Sequence, residues 1–184
     1  TGVQTCALPI SFAGLIQESM QRDIGWRFLE MGRRMERILQ TVSLLRSLWV
    51  PSCEYKDEYL MIEAVLQSVE SLISFRRRYQ RQMKIRHGLD FLILEAGNPR
   101  SLIFQLERLQ QHVKESITPL NGERESQVQR LVLQAHMSLR LTSPEVLATV
   151  EEKRFVRSDL DQLLSRIQYL VTAAADEIGE RYFD

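Results

Sequence analysis

Three groups of basic and polar residues are the parts of this sequence that could do chemistry. In the first, WRFLEMGRRMER, Trp26, Glu30, Arg33 and Arg37 recur at three- and four-residue steps, which places them on one face of a helix. Such a face is typical of a polar site for an anionic or carboxylate-bearing group. The alternative is a solvated helix face that is crossed by salt bridges and binds nothing.

The second group is the densest run of positive charge in the chain. No acidic residue occurs between Glu70 and Asp90, and this interval holds Arg76, Arg77, Arg78, Arg81, Lys84 and Arg86. A patch of this kind could hold phosphate or an acidic partner surface. Cations also favour the C-terminal end of a helix dipole, and a helix is expected to end here. Both interpretations remain open on the residues alone.

The third group is Asn98-Pro99-Arg100-Ser101, which has the composition of a helix start. Asn98 is suited to cap the helix and Pro99 to occupy its first position. The unpaired backbone N–H groups of a helix start, next to Arg100, would form an anion site. Most helix starts of this composition are only caps, and that is the alternative.

Other chemistry has little support in the sequence. The histidines and cysteines lie in separate segments without metal-ligand spacing, and these residues are His87, His112, His136, Cys6 and Cys53. No Ser-His-Asp order, glycine-rich phosphate loop or nucleophile elbow is present. We therefore expect no metal and no cofactor, and the sequence argues against an unaided hydrolase or kinase.

Composition narrows the class of protein. Lys plus Arg and Asp plus Glu are both 24 in 184 residues, so no net charge attracts nucleic acid or an anionic membrane. Eight Gly, five Pro, 44% apolar and 26% charged residues favour a helical domain over a turn-rich β protein or a disordered chain. No apolar run is long enough to span a bilayer and no signal core is present, so we expect one cytoplasmic domain.

Apolar periodicity supplies the elements that must position these groups. From Ile24 to Trp49 apolar residues step by four and three, which predicts one long helix ended by Pro51. We predict an all-α bundle of about five to seven helices, mostly antiparallel. The further helices are expected at about Lys56–Gln80, Leu89–Leu94 with a Gly97 C-cap, Asn98–Ser116, Glu125–Leu141, Pro144–Val150 and Ser158 to the Tyr182-Phe183 terminus. For Leu89–Leu94 a short strand is the alternative.

The first ten residues, TGVQTCALPI, match the translation of one reading frame of a common sequencing-adapter oligonucleotide. We exclude residues 1–10 from fold reasoning for this reason. If they are foreign, residues 11–184 form a helical domain whose N-terminal part is missing. A genuine disordered tail is the alternative.

Five strings, in this order, resemble the alpha-E domain family of all-helical bacterial proteins. They are GLIQESMQRDIGWRFLEMGRRMER from residue 14, SFRRRY from residue 74, LDFLI from residue 89, NPRSLIFQL from residue 98 and RYF from residue 181. A full alpha-E domain is longer, and this chain resembles its C-terminal portion. The residues of the first two strings are similar to those of the version that is fused behind a circularly permuted ATP-grasp domain.

The resemblance implies a context rather than an activity. The family occurs with ATP-grasp and transglutaminase-like proteins in systems that make or process peptide or isopeptide bonds. We therefore expect a non-catalytic domain that acts with an ATP-grasp amide ligase, in cis or in trans. Transglutaminase-like proteins are further candidate partners, whereas nucleic acid and membranes are not. A purely structural or oligomerisation bundle is the alternative, and an enzyme with its nucleophile in the missing part is a third.

The resemblance also implies which positions matter. The polar motif positions of the family fall on Trp26, Arg27, Gly32, Arg33, Glu36 and Arg37, on Arg76, Arg77, Arg78 and Tyr79, and on Asn98, Pro99, Arg100 and Ser101. With Glu30, these include all the candidate site residues. One geometric question separates a ligand site from structural salt bridges: whether Glu36 and Arg100 pair inside the bundle or point into an open cleft.

Overall fold

The structure is a computed structural model that describes residue 14 and residues 18–53, 55–80, 82–119, 123–151 and 153–183. Within these ranges the chain forms helices and no strand, with only isolated bridges at Val156. The helices with defined bounds are α1 Ile24–Leu48, α2 Tyr55–Ser68, α3 Leu72–Tyr79, α4 Ile85–Leu89, the π-helix π1 Asp90–Leu94, α5 Leu102–Ser116, α6 Gln127–Arg140, α7 Pro144–Ala148 and α8 Ser158–Tyr182. The all-α prediction is confirmed. Residues 1–10 lie outside the described residues.

Four helices, α1, α5, α6 and α8, form a ring around the core. α1 packs against α5 and α8, and α6 packs against the same two helices. Each helix buries one apolar stripe, and from Met31 to Trp49 the heptad seam of α1 is completely buried. Ile24, the first position of that seam, is 59% exposed, so the seam faces the core only after the first turn.

Contacts between helix ends show that neighbours in the ring run antiparallel. Phe28, near the start of α1, packs on Tyr182 at the end of α8, with ring centroids 4.9 Å apart. At the other end of the same pair, Arg46 Nε donates to Asp161 Oδ1 over 2.9 Å. Gln129, in the first turn of α6, donates to the carbonyl of Ile117, just past the end of α5. The predicted antiparallel arrangement is confirmed at these contacts.

The short helices cover the end of the bundle where α1 stops. Trp49 caps α1 and is 1% exposed, and its ring lies so close to Gly88 of α4 that a Cβ there would stand 2.8 Å from it. The predicted short helix at Leu89–Leu94 is confirmed as the continuation of α4 into π1. The Gly97 C-cap is wrong, because the helix ends at Glu95 in an extended conformation and Gly97 lies in the next turn.

The prediction of one helix over Lys56–Gln80 is also wrong, because the chain breaks after α2. Glu70 has a φ of 54°, in the left-handed region. Its N–H donates to the carbonyl of Gln67 over 3.0 Å, and Ser71 N–H donates to that of Leu66 over 2.8 Å. This is the hydrogen-bond pattern of a Schellman helix end, at a position that usually holds glycine. A glutamate at this point hides the break from sequence reading.

The helix predicted over Asn98–Ser116 starts later than expected. α5 begins at Leu102 and is capped by Ser101, whose Oγ accepts from the N–H of Phe104 over 3.2 Å. Asn98 instead forms a turn, in which its Oδ1 accepts from the N–H of Arg100 over 3.0 Å. The later helices begin within two residues of their predicted starts, with caps at Ser126 and Ser143. Residues 117–124, which separate the predicted helices Asn98–Ser116 and Glu125–Leu141, lie partly outside the described residues.

Arg157 ties the end of α1 to the starts of α2 and α8. Its side chain is buried, and Nη1 donates to the carbonyls of Trp49 over 2.8 Å and of Pro51 over 3.2 Å. Nη2 pairs with the carboxylate of Glu58. A buried guanidinium is tolerated here because its two Nη groups reach two carbonyls at the end of α1 and one carboxylate of α2, although its Nε is buried without a partner among the described residues.

We predict that Arg157→Ala lowers the free energy of unfolding by about 2–4 kcal/mol, because it leaves two carbonyls and one carboxylate without their donor. Urea unfolding followed by circular dichroism measures the change. The matched control is Arg154→Ala, which removes an exposed pair with Glu151 and should change stability by less than about 0.5 kcal/mol. Equal effects for the two variants would contradict the role assigned to Arg157.

Candidate anion-binding cleft

The centre of the candidate site is a buried carboxylate. Glu30 is only 1% exposed, because α5 packs over this face of α1. Its two oxygens accept from Arg33 Nη1 over 3.1 Å and from Arg34 Nη2 over 2.7 Å. Both arginines follow Glu30 by one helical turn, so all three side chains meet on the same face of α1. Sequence reading placed Glu30 and Arg33 together correctly but did not show that the acid is buried.

Burial and pairing act on Glu30 in opposite directions. Loss of water raises the pKa of a carboxyl group, but the hydrogen bonds and positive charges of Arg33 and Arg34 outweigh that effect. The pKa of Glu30 therefore lies below its ordinary value, and the group is ionised at neutral pH. Each oxygen already has an arginine donor, so Glu30 fixes the guanidinium groups around it and is poorly placed to act as a base.

A chain of hydrogen bonds extends from Glu30 to the second motif. Arg34 Nη1 donates to Gln105 Oε1 over 3.2 Å, and Gln105 Nε2 donates to the carbonyl of Pro99. Gln105 is 2% exposed although it lies in α5, whose neighbouring positions are apolar. The chain thus links the middle of α1 to the turn that carries Arg100.

This link brings Arg37 and Arg100 to one open cleft of about 280 Å³. Arg37 comes from α1, one turn after Arg33, and Arg100 from the turn before α5. The floor and walls are completed by amide, hydroxyl and apolar groups from Gln40, Thr41, Leu44, Ser68, Val69 and Gln105. Cations with hydrogen-bonding groups around them are the usual features of a site for a carboxylate or phosphate.

The two arginines of the cleft differ in their partners. Arg100 Nη2 donates to Glu70 Oε2 over 2.5 Å. Arg37 forms no hydrogen bond or ion pair with any residue that the structure describes. Arg37 is exposed. Partial loss of water around its guanidinium and the nearby charges of Arg34 and Arg100 lower the pKa of Arg37 below its ordinary value. The guanidinium still carries its charge at neutral pH, and an added anion would relieve this repulsion.

The remaining residues of the first motif do not enter the cleft lining. Glu36 is exposed and accepts from Gln40 Nε2 over 3.0 Å, so it neither pairs with Arg100 nor faces it across the bundle. Arg27 pairs with Glu115 of α5. Trp26 is half-buried, with its ring edge-on to His112 and the guanidinium of Arg22 at 4.3 Å from the ring centroid. The contacts of Trp26 and Arg27 join α1 to α5 near the start of α1, about three turns before Arg37.

Most of the second motif is occupied by contacts within the protein. Arg76 pairs with Glu63, and Arg78 pairs with Glu95. Arg77 lines a second depression, of about 430 Å³, and forms no ion pair with any described residue. The helix-dipole interpretation of this cluster also fits, since Arg76, Arg77 and Arg78 occupy the last turn of α3.

Tyr79 completes this motif as part of the core rather than as an acid or base. Its hydroxyl donates to Asp90 of π1, and its ring stacks on His87 with centroids 4.8 Å apart. Burial and the hydrogen bond to Asp90 raise the pKa of Tyr79 to about 12. The phenol therefore stays protonated at neutral pH and holds α3 against π1.

The third motif contributes its arginine to the cleft, but not its backbone. The side-chain amide of Asn98 is buried and donates to the carbonyl of Phe91 over 2.9 Å. Ser101 caps α5 and its hydroxyl donates to the carbonyl of Glu95 over 2.7 Å. The predicted anion site on free N–H groups at Asn98 is wrong, because α5 starts at Leu102 and these groups serve the turn.

Sequence reasoning placed Arg34 within reach of Glu30 but missed Thr41, Gln105 and Glu70. A usable signal existed for Gln105, since it is a polar residue in an otherwise apolar stripe of its helix. No signal joins Glu70 to Arg100, because the contact depends on the break between α2 and α3.

Within the described ranges no three His, Cys, Asp or Glu side chains are grouped to hold a metal ion. No described helix is both long and apolar enough to cross a membrane.

Comparison with known proteins identifies the family. The sequence matches the Alpha-E family over residues 6–183, and that family is described as a predicted alpha-helical domain with a conserved ER motif. The chain therefore belongs to the Alpha-E family. It contains four Glu-Arg pairs, and Glu36-Arg37 is the one that supplies an arginine to the cleft; the others are Glu107-Arg108, Glu123-Arg124 and Glu180-Arg181.

Three curated relatives, one from Mycobacterium bovis and two from Mycobacterium tuberculosis, are each 32% identical to the chain over 173 residues. These residues make up 94% of this chain and 19% of each relative, so the chain spans about a fifth of their length. All three are described as uncharacterized proteins. No solved structure matches the chain significantly.

We predict that Glu30→Gln lowers the free energy of unfolding at pH 7 by about 1–3 kcal/mol, the usual loss for charged hydrogen bonds. Because the folded-state pKa is depressed, the stability supplied by ionised Glu30 is present above the ordinary value of 4.5 and is lost as pH falls through the folded-state pKa. As the pH falls below 4.5, the free energy of unfolding should therefore decrease less in the variant than in wild type. Urea unfolding at several pH values measures both effects, and Glu36→Gln, on the exposed side, is the control that should change neither.

Proposed function

We propose that this chain is a non-catalytic helical domain that acts with an ATP-grasp amide ligase in a system that makes or modifies peptide bonds. In this proposal the cleft between α1 and the turn at residues 98–101 positions a carboxylate-bearing substrate or segment of the ligase. The observation that carries the proposal is Arg37, a cation with no partner among the described residues, next to Arg100 in an open cleft. The chain belongs to the Alpha-E family, and the resemblance of its first two strings to the version fused behind an ATP-grasp domain supports the same context.

The chemistry of the cleft favours binding over catalysis. The described residues that line it include no Asp, Glu, His or Cys, so the lining offers no group that exchanges a proton near neutral pH. It offers two guanidinium groups, two amides and two hydroxyls, which suit recognition of a carboxylate. An amide ligase joins a carboxylate to an amine, so a domain that holds a carboxylate fits such a partner.

The rigidity of the surroundings also suits a positioning role. Arg33 and Arg34 are fixed by Glu30, and Gln105 fixes the turn before Arg100. Arg33 and Arg34 do not line the cleft, so this rigidity acts through the turn that carries Arg100, whose fixed position lowers the entropy lost when an anion binds. Arg37 is the least restrained member and is the group that we expect to move onto a ligand.

The second candidate function is a structural bundle that binds no ligand, and one observation favours it. Seven of the motif arginines already pair with acids within the protein: Arg33 and Arg34 with Glu30, Arg27 with Glu115, Arg76 with Glu63, Arg78 with Glu95, Arg86 with Glu145 and Arg100 with Glu70. In that case only Arg37 and Arg77 would remain without acidic partners among the described residues. The two functions differ in what happens when Arg37 is removed.

We predict that Arg37→Ala and Arg100→Ala in the full protein or ligase complex each lower ATP-dependent ligation at limiting substrate by about tenfold, since each removes a charged hydrogen bond to the carboxylate. Phosphate release that requires the amine substrate measures the rate. Arg46→Ala is the matched control, because Arg46 is also an α1 arginine but pairs with Asp161 away from the cleft.

Unchanged turnover in the Arg37→Ala variant, with its unfolding transition preserved, would contradict the positioning role and favour the structural bundle. The ligase partnership has a separate test. Adding this chain to a ligase that lacks it should raise the ligation rate, and no effect of the added chain would contradict the partnership.

A further inference from the structure

We propose that Glu70 is the specificity-determining residue of the cleft: it offsets the charge of Arg100, so that the cleft selects a singly charged carboxylate over a phosphate dianion. This inference rests on the proposed function, because it requires that the cleft binds an anion. Beyond the proposed function, it names the class of ligand, a singly charged carboxylate, and the residue that determines the preference for it.

The backbone at Glu70 is one that glycine adopts much more readily. Its φ of 54° and the two hydrogen bonds that close α2 place it at the C′ position of a Schellman end. A side chain at such a position destabilises the folded state slightly relative to glycine. The presence of glutamate here therefore calls for a role of its side chain.

The role of the Glu70 side chain is not to stabilise the fold. The carboxylate of Glu70 is 77% exposed and its partner Arg100 is 40% exposed. Ion pairs in this setting contribute little to folding, since water solvates both groups well. The pair does, however, hold one acid directly on a cation that lines the cleft.

The charges around the cleft show what the carboxylate of Glu70 changes. The lining residues carry two positive charges, on Arg37 and Arg100, and Glu70 offsets one of them. Glu30 in turn balances part of the charge of Arg33 and Arg34 behind the cleft. A monoanion can pair with Arg37 and meet limited repulsion from Glu70. A dianion is attracted twice as strongly by Arg37, but it meets twice the repulsion from Glu70, must compete with Glu70 for Arg100 and loses hydration that grows with the square of its charge.

The test compares two probes, N-acetylglycine as a carboxylate and inorganic phosphate as a dianion, at pH 8 and low ionic strength. Shifts of the arginine side-chain resonances in NMR titrations give the two affinities. Wild type should prefer N-acetylglycine. In Glu70→Gln the affinity for phosphate should rise roughly tenfold and that for N-acetylglycine about threefold, because one negative charge a few ångströms away is removed.

Two controls separate charge from backbone effects. Glu123→Gln removes an exposed acid that pairs with Arg130, away from the cleft, and should change neither affinity. Gln80→Gly relieves another left-handed residue without removing an acid and should also change neither. Glu70→Gly should unfold at the same or a higher Tm than wild type while it binds phosphate like Glu70→Gln.

The outcomes are distinguishable. If Arg37→Ala weakens N-acetylglycine binding but Glu70→Gln leaves the preference between the probes unchanged, the role of Glu70 is wrong and the cleft remains. If neither probe binds wild type or any variant, the anion-binding cleft and the role of Glu70 are both wrong. A lower Tm for Glu70→Gly, without a change in phosphate affinity, would assign Glu70 to stability instead.

Discussion

The arrangement of the candidate site depends on one buried carboxylate. Glu30 lies beneath α5, where an isolated charge would be strongly unfavourable, and two arginines of its own helix make the position tolerable. Because buried Glu30 needs these partners, the side chains of Arg33 and Arg34 are held on the face of α1 that packs against α5. Arg34 then reaches Gln105, and Gln105 reaches the turn of Arg100. The position of Arg37 beside Arg100 follows from this chain of contacts.

The acids around the cleft have opposite roles because their burial differs. Glu30 is shielded from water and always paired, so it acts on the shape of the site. Glu70 lies in water and contacts a single arginine, so it acts on the charge of the site. Two acids of the same chemical kind thus serve structure and selectivity respectively, and only their surroundings assign the roles.

The sequence predicts the long elements well, because periodic apolar residues report directly on the face that each helix buries. The limits of α1 and the end of α5 show this. The break at Glu70 could not be read, because a glutamate holds the left-handed position that usually holds glycine. The late start of α5 could also not be read, because it follows from hydrogen bonds of Asn98 to Phe91 and of Ser101 to Glu95. The motif arginines were recognised individually, but which pairs meet depends on helices that are far apart in the chain, as for Arg34 and Gln105, 71 residues apart. Burial of Glu30 could not be read either, since it depends on where α5 packs.

The spacing of the Glu30 pairs has a consequence for the order of folding. Both partners lie three or four residues from the acid, so the pairs are available as soon as this stretch of chain is helical. The carboxylate can therefore be paired before α5 packs over it, in which case docking desolvates an ion-pair cluster instead of a bare carboxylate. The contact with Gln105 closes a long segment and belongs to a later, slower step. Local pairing at Glu30 thus removes an electrostatic barrier from the assembly of the bundle.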